Sequence, residues 1–457
     1  MDASTHPLYQ SALQAMDAIL GRDRASAIAV AYSGGLDSSV LLHLMARYGR
    51  EHGIVIRAFH VHHGLSANAD HWLAHCRATC AALEVHFDAR QVEVNKHSDN
   101  GIEEAARDAR YAALGALCME HTVSLLLTAH HLDDQAETML LQMLRGAGLA
   151  GISGMETSNR APGLLGTAGV TIARPLLKAA RAALEAYATT YQITHIEDES
   201  NSDPRFARNA LRHQVMPALA NAFPGFTQRF ARTAQHAQTA QRLLIELAGQ
   251  DLAVCRTGQA LSVVRLRALS PERADNMLRH WFATRGLRKP STAWLNEMRT
   301  QLLIAKADAR LCVTHADCHV RRHRDHVYIT PRNDELAEDV EPQSFTWNGE
   351  ACWHFPEYGG SLHFDQTERG IDPGWLRGRS CTIHYRQGGE RLKLAPNRPT
   401  RDLKHHYQAN DIPAWERETL PLVSSQGKLL YAAGLGMDHA HDNVVTEHGI
   451  VFRWETG

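Results

Sequence analysis

Six consecutive residues, Ser33-Gly34-Gly35-Leu36-Asp37-Ser38, constrain this chain more than any other stretch. They follow Ala25–Tyr32, a short apolar run suited to a strand, and precede Ser39–Met45, where apolar residues recur at helical spacing. The arrangement predicts a strand, a glycine turn and a helix start. Two adjacent glycines let the backbone approach a bound group closely and adopt φ > 0. The serine hydroxyls and the first free N–H groups of the helix then make a nest that favours an anion, phosphate above all. Asp37 at the mouth of that nest would repel phosphate unless a divalent cation lay between them, so the stretch points to Mg²⁺ bridging Asp37 and a nucleotide. At this turn the chain has neither a Walker ending nor a GxGxxG pattern. The competing reading is a plain tight turn with Asp37 or Ser38 as helix N-cap.

The flanking chain supplies a framework for such a turn. Strand-like runs at Ile54–Val61, Val85–Val94 and Val123–Ala129 alternate with helical patterns at Asp37–Tyr48, Ala67–Leu83, Ile102–Met119 and Asp134–Leu144. Strict alternation predicts a parallel sheet with helices on both faces, and ligands of such sheets lie outside the carboxyl ends of the strands. The glycine turn, His60–Gly64 and His130–Glu137 all fall at strand ends and should converge on one crevice. Further helices are expected at Leu176–Thr190, Phe226–Leu252, Pro271–Ala283 and Ala293–Ala305, a hairpin at Arg310–Ile329, and short strands with one helix near Asp402–Ala409 after Ser344. At 457 residues the chain needs several cores. The expectation is α/β throughout: a Rossmann-like domain with a parallel sheet at 1–220, a mainly helical domain at 221–332, an acidic linker at 333–343 and a small C-terminal α/β domain at 344–457.

Composition excludes several classes. Net charge is −2, so any affinity for nucleic acid must come from local patches. Eight cysteines without a CxxC are neither a disulfide framework nor a usual zinc site and suit a reducing compartment. Cys76 and Cys80 read as packed thiols on a helix. No signal peptide or membrane-spanning run is found, so a cytoplasmic protein is expected.

Candidate chemistry is concentrated in four places. Asp134 and Glu137, three apart on a helix that starts near Asp133, share one face and suit a cationic amine, a metal or a proton transfer; a capping box explains the same spacing. His130 and His131 either line the crevice or close the strand. Asn100-Gly101-Ile102-Glu103 reads as a structural cap of the helix that carries Arg107 and Arg110. Arg145-Gly146-Ala147-Gly148 ends the carboxylate helix, and the glycine-rich Leu149–Met155 after it is expected to be mobile, either a cover for the nucleobase or a plain loop. Arg205, Arg208 and Arg212 form a basic stripe, either solvated or turned to RNA phosphates. Between Arg386 and Lys404, six Lys/Arg face two acids, with Arg391, Lys393, Arg401 and Lys404 the candidate phosphate contacts. Trp415 is expected in the core of the small C-terminal domain.

Ser33–Ser38 matches the SGGxDS signature of the PP-loop ATP pyrophosphatases, and within them the chain most resembles the tRNA(Ile)-lysidine synthetases. The resemblance is carried by His60–Leu65, Ala109-Arg110-Tyr111, His130–Thr138, Arg145–Gly148, Arg174–Leu177 and Asp198–Asn201; it is dense from about Ala25 to Leu219 and resumes near Tyr385. It implies a ligase that uses ATP to adenylate the wobble cytidine of a CAU-anticodon isoleucine tRNA and then attaches L-lysine, giving lysidine, AMP and pyrophosphate. By that resemblance Ser33, Gly34, Gly35, Leu36, Asp37 and Ser38 bind ATP, Asp37 holds Mg²⁺, Arg110 meets the phosphates, and Asp134 and Glu137 handle lysine. The middle and C-terminal domains then bind tRNA. Homodimerisation stays open. Two rivals remain: a PP-loop tRNA thiolase, against which the missing CxxC weighs, and a non-enzymatic nucleotide-sensing or RNA-binding protein.

Overall fold

The computed structural model describes residues 6–21, 26–64, 68–93, 102–197, 207–304, 311–332, 340–368, 370–439, 445–446 and 448–456. Arg205, the Asp198–Asn201 segment, the Asn100-Gly101 cap and most of the acidic linker lie outside the described residues. Two compact units divide the chain, Met1–Glu246 and Leu247–Gly457.

The first unit is built on a six-stranded sheet. Its strands are β1 (Ala27–Ala31), β2 (Val55–His62), β3 (His86–Gln91), β4 (Leu125–Leu127), β5 (Ser158–Arg160) and β6 (Thr171–Ala173), in the order β3-β2-β1-β4-β6-β5. All pairings are parallel except that of the edge strand β5 with β6. After the leading helix α1 (Pro7–Leu20), helices α2 (Leu36–His52), α3 (Ala69–Ala82), α4 (Ile102–Glu120) and α5 (Leu132–Leu144) match the sequence expectation closely. Both faces of the sheet are covered, which explains why β1 is apolar without alternation. Ile28 and Val30 enter one core with Val40, Leu41, Leu44 and Met45 of α2, while Ala29 between them enters a second core with Tyr111 and Leu114 of α4. Each fully buried aliphatic side chain on α2 contributes about 1.5–3 kcal/mol. The chain moves outward from β1 to β2 on one side and to β4 on the other, so the switch point lies between β1 and β4. The loops after those two strands carry the glycine turn and His130-His131.

In the second unit, the segment expected to be mainly helical holds Val263–Arg267, Pro271–Thr284 and Thr292–Ile304, and also a five-stranded sheet. Cys318–His323 and His326–Pro331 are the expected hairpin, paired from His323↔His326 outward. The added strands Arg256–Thr257, Ala260–Ser262 and Cys312–Thr314 are too short to show a period in sequence. The C-terminal part has two five-stranded sheets around Phe345, Leu362, Ile383, Val423 and Phe452, with the expected helix at Leu403–Ala409. Trp415 is not in that core. It is half-buried, with its ring 5.5 Å from Tyr328 and 6.1 Å from His323 of the hairpin, beside the His323–Asp411 and Arg324–Asp411 ion pairs at 2.9 and 3.0 Å. No helix among the described residues is long and apolar enough to cross a membrane.

Candidate active site

The glycine turn adopts the form its sequence requires. Gly34 has φ +88°, and a Cβ there would lie 2.6 Å from Ile196 Cδ1 and 2.9 Å from Cys76 Sγ. Its carbonyl accepts from Ile196 N–H at 2.9 Å and from Ser39 Oγ at 3.2 Å. The Ser33 and Ser38 hydroxyls are 3.1 Å apart, and Ser38 Oγ donates to Gly35 O at 3.0 Å. Gly35 itself is the N-cap of α2 and offers no side-chain cap, so neither Asp37 nor Ser38 plays that part. The first-turn N–H groups are thus left for a ligand, as an anion nest requires. Asp37 Oδ1 is buried and has no hydrogen-bond partner among the described residues.

Across the switch point, α5 starts at Leu132 with His131 as N-cap. Asp134 Oδ2 accepts from His131 N–H at 3.0 Å, so Asp134 is itself a capping residue, closing back on His131 rather than forward on Glu137. The His131 ring is fully buried, with Nε2 3.3 Å from Asp134 and 3.6 Å from Asp37, and Nδ1 3.7 Å from Asp133. Burial alone would lower its pKa, but Asp37, Asp134 and Asp133 outweigh burial and hold the imidazole above its ordinary value. Burial likewise opposes ionisation of Asp134, yet His131, His130 and Arg208 hold that carboxyl below its ordinary value. His131 therefore links the phosphate turn to the carboxylate helix.

The far side of the carboxylate pair is closed by two arginines from residues 207–215. Arg208 Nε donates to Glu137 Oε2 at 2.9 Å, and Arg212 Nε and Nη2 donate to Glu137 Oε1 and Oε2 at 2.6 and 3.1 Å. Both guanidiniums also reach Asp134 Oδ1 at 3.1 Å. Glu137 is 1 % exposed and Asp134 8 %, so this is a buried four-charge cluster. Two of the arginines assigned from sequence to RNA phosphates are thus seated on the two carboxylates assigned to lysine.

Arg110 stands on α4 with its guanidinium 5.4 Å from the centroid of Tyr111. His63, pushed down to about 4 by burial and then by Arg110, His60 and His62, brings the loop after β2 to the same place. His130 Nδ1 lies 2.9 Å from Thr128 Oγ1, and burial, followed by Arg174, Arg208 and Arg107, drives its pKa down to about 3 against the pull of Asp134. The three loops expected to converge do so. The segment after α5 differs from expectation: Leu149–Ile152 is a short helix, and the following turn is pinned. Gln135 grips Met155 through both backbone groups, at 3.0 and 2.7 Å, and Gln238 donates to Ser153 O and Met155 O at 2.8 and 3.0 Å. Cys76 and Cys80 are buried free thiols with pKa raised to about 12 by burial. In the second unit Arg391, Arg401 and Lys404 are exposed, Lys393 is half-buried, and Arg391, Thr400, Arg401, Asp402 and His405 line an open cavity of about 390 Å³.

A glycine phosphate nest at the switch point of a parallel sheet, with an acidic residue in its mouth, defines a PP-loop nucleotide-binding protein, and residues 8–219 match the family model described as PP-loop domain. Residues 261–328 match the TilS substrate binding domain, and residues 381–454 the TilS substrate C-terminal domain. The tRNA(Ile)-lysidine synthase of Burkholderia pseudomallei is 43 % identical over 447 residues, covering 91 % of this chain and 90 % of that one. That of Coxiella burnetii is 36 % identical over 406 residues, covering 89 % and 88 %. The chain belongs to the tRNA(Ile)-lysidine synthase family. Among solved structures, the U34-tRNA thiolase NcsA from Methanococcus maripaludis overlays at TM-score 0.41 with 16 % identity, covering 50 % of this chain and 78 % of that one.

Proposed function

We propose that this enzyme ligates L-lysine to C2 of the wobble cytidine of a CAU-anticodon isoleucine tRNA in two steps. Cytidine O2 first attacks the α-phosphorus of ATP, and pyrophosphate leaves. The lysine amine then adds at C2, and AMP leaves. The observation that carries the reading is the link through His131, which sets a phosphate nest and a carboxylate pair in one crevice.

Ser33–Ser38 cradles the phosphates, and Arg110 meets the charge that develops on them. The orphaned Asp37 Oδ1 fits Mg²⁺, which is commonly held by one or two carboxylates with substrate phosphates completing the shell. Such an ion would neutralise phosphate charge beside Asp37. Asp134 and Glu137 receive the lysine ammonium and take its proton. Their present partners are cations, so lysine binding requires Arg208 or Arg212 to yield a carboxylate oxygen. A released arginine is then available to RNA phosphate, as are Arg391, Lys393, Arg401 and Lys404 on the second unit; Arg205 keeps the same role on its sequence spacing. Cys76 and Cys80, buried with raised pKa, offer no sulfur chemistry, and the absence of a CxxC weighs against a thiolase. Eight free cysteines suit the cytoplasm, and the reading admits a homodimer.

The test is tRNA-dependent pyrophosphate release with and without lysine, in the wild type and in Asp37→Asn. The variant should lose adenylation while keeping its fold. Wild-type release from it at saturating Mg²⁺ would sink the assignment.

A further inference from the structure

Around the crevice stand arginines that meet no carboxylate among the described residues. Arg208 and Arg212 are paired, as described above. Arg174 is 8 % exposed and donates only to neutral acceptors, Glu156 O and Asn159 Oδ1, both at 2.8 Å; its Nε is buried without a partner among the described residues. Arg107 and Arg110, one turn apart on α4, make no ion pair among the described residues. Both guanidiniums sit on the ring of the buried Tyr111, at 4.9 and 5.4 Å from its centroid. Other arginines of this unit show the ordinary alternative: Arg47 meets Glu51, Arg90 meets Glu120 and Arg181 meets Glu185.

Arg107 is exposed, yet its charge is felt across the crevice. It depresses Arg110 on its own helix after burial does, and Arg174 beyond β6, again after burial. It also acts on His130 in the loop after β4. Its guanidinium shares the Tyr111 ring with that of Arg110, so the two stand side by side, Arg107 on the solvent-facing side of the pair. Like charges so gathered repel one another, and an anion between them removes the repulsion.

We propose that Arg107 is a second cationic arm of the phosphate site, and that Arg107 and Arg110, seated together on Tyr111, receive the terminal pyrophosphate of ATP. This rests on the functional reading above. As cytidine O2 bonds to the α-phosphorus, the bond from that phosphorus to the bridging oxygen breaks, and pyrophosphate departs with the electron pair. Charge therefore grows at the end of the nucleotide farthest from the acceptor, where two planar guanidiniums can each offer a fork of donors. The cation–π seat on Tyr111 restricts both side chains before the ligand arrives, which lowers the entropy lost on binding.

The experiment compares wild type, Arg107→Gln and Arg107→Lys in the full chain. Three quantities are measured: inhibition of tRNA adenylation by added pyrophosphate, kcat and KM for ATP, and tRNA affinity as a function of salt. Arg107→Gln should weaken pyrophosphate inhibition and lower kcat/KM for ATP by tenfold or more, with tRNA affinity and its salt slope unchanged. Arg107→Lys should recover part of both losses, since it restores the charge without the fork. A fall in tRNA affinity with a salt slope shallower by about one, and unchanged pyrophosphate inhibition, would assign Arg107 to the RNA backbone and overturn the proposal. Three unchanged quantities would overturn it as well. A wild type that releases no pyrophosphate in the presence of tRNA would instead refute the functional reading beneath it.

Discussion

Glu137→Gln removes one charge from the four-charge cluster and nothing else in volume. The wild-type carboxylate is 1 % exposed and takes three guanidinium N–H groups, two from Arg212 and one from Arg208. A glutamine keeps one acceptor oxygen and turns an amide N–H₂ toward an arginine, donor against donor. Breaking a fully buried pair costs about 3–5 kcal/mol. Here the arginine side chains are 28 % and 26 % exposed, so water recovers part of their charge. A loss of about 2–3 kcal/mol follows once that screening is allowed for. In a unit of this size each kcal/mol moves Tm by about 2–4 °C, so the melting point should fall by roughly 5–10 °C. The same change should raise the lysine requirement at least tenfold while leaving lysine-independent tRNA adenylation nearly intact. Thermal melting and a lysine titration at fixed tRNA read the two effects. An unchanged Tm would refute the cluster. Impaired adenylation with unchanged lysine dependence would move Glu137 from the amine to the metal.

Three other outcomes are expected. Gly34→Ala should destabilise the first unit by about 1–3 kcal/mol and abolish ATP-dependent turnover, because its Cβ would meet Ile196 and Cys76 at a φ of +88°; normal turnover in a normally folded variant would contradict this. His130 and His63 titrate in the fold at about 3 and 4, below the ordinary 6.5, so from pH 6.5 downward the unfolded chain binds protons that the folded chain does not. Stability should therefore be complete above pH 6.5 and fall on acidification by up to ~1.4 kcal/mol per pH unit for each histidine, and urea unfolding of His130→Asn across pH 4–7 should show a shallower slope. Replacing Arg391, Arg401 and Lys404 together by glutamine should weaken tRNA binding and flatten its salt dependence by roughly 2–3 in slope, with the KM for ATP unmoved; an unchanged slope would exclude this face as an RNA contact.

The phosphate turn was legible because local physics sets it. An apolar run, two glycines and a helical rhythm specify strand, turn and helix without reference to anything distant. Convergence of three loops was legible for the same reason, since alternation of elements fixes where the strand ends lie. The partners of Asp134 and Glu137 were not legible. Arg208 and Arg212 show only a spacing of four on a helix, and that spacing is the same whether the stripe faces water, RNA or a carboxylate. The segment after α5 looked mobile because glycine content is a local signal. What pins it is Gln135 and Gln238, polar residues without periodicity, and Gly154 at φ +60°, whose missing Cβ makes room for the Gln135 amide. His131 shows a residue type at a strand end, whereas its importance lies in three carboxylates that only the fold assembles.

The four-charge cluster also bears on the order in which the unit folds. Its carboxylates and guanidiniums are separated by 71 to 78 residues, whereas α2 and β1 are contiguous in sequence. Closing so long a loop is entropically later work than docking neighbouring elements. During synthesis Asp134 and Glu137 emerge well before Arg208 and Arg212, and in that interval α5 carries both carboxylates without their guanidinium partners. Interactions absent from the folding transition state act on the unfolding rate, so this cluster governs how long the finished site persists more than how fast it forms.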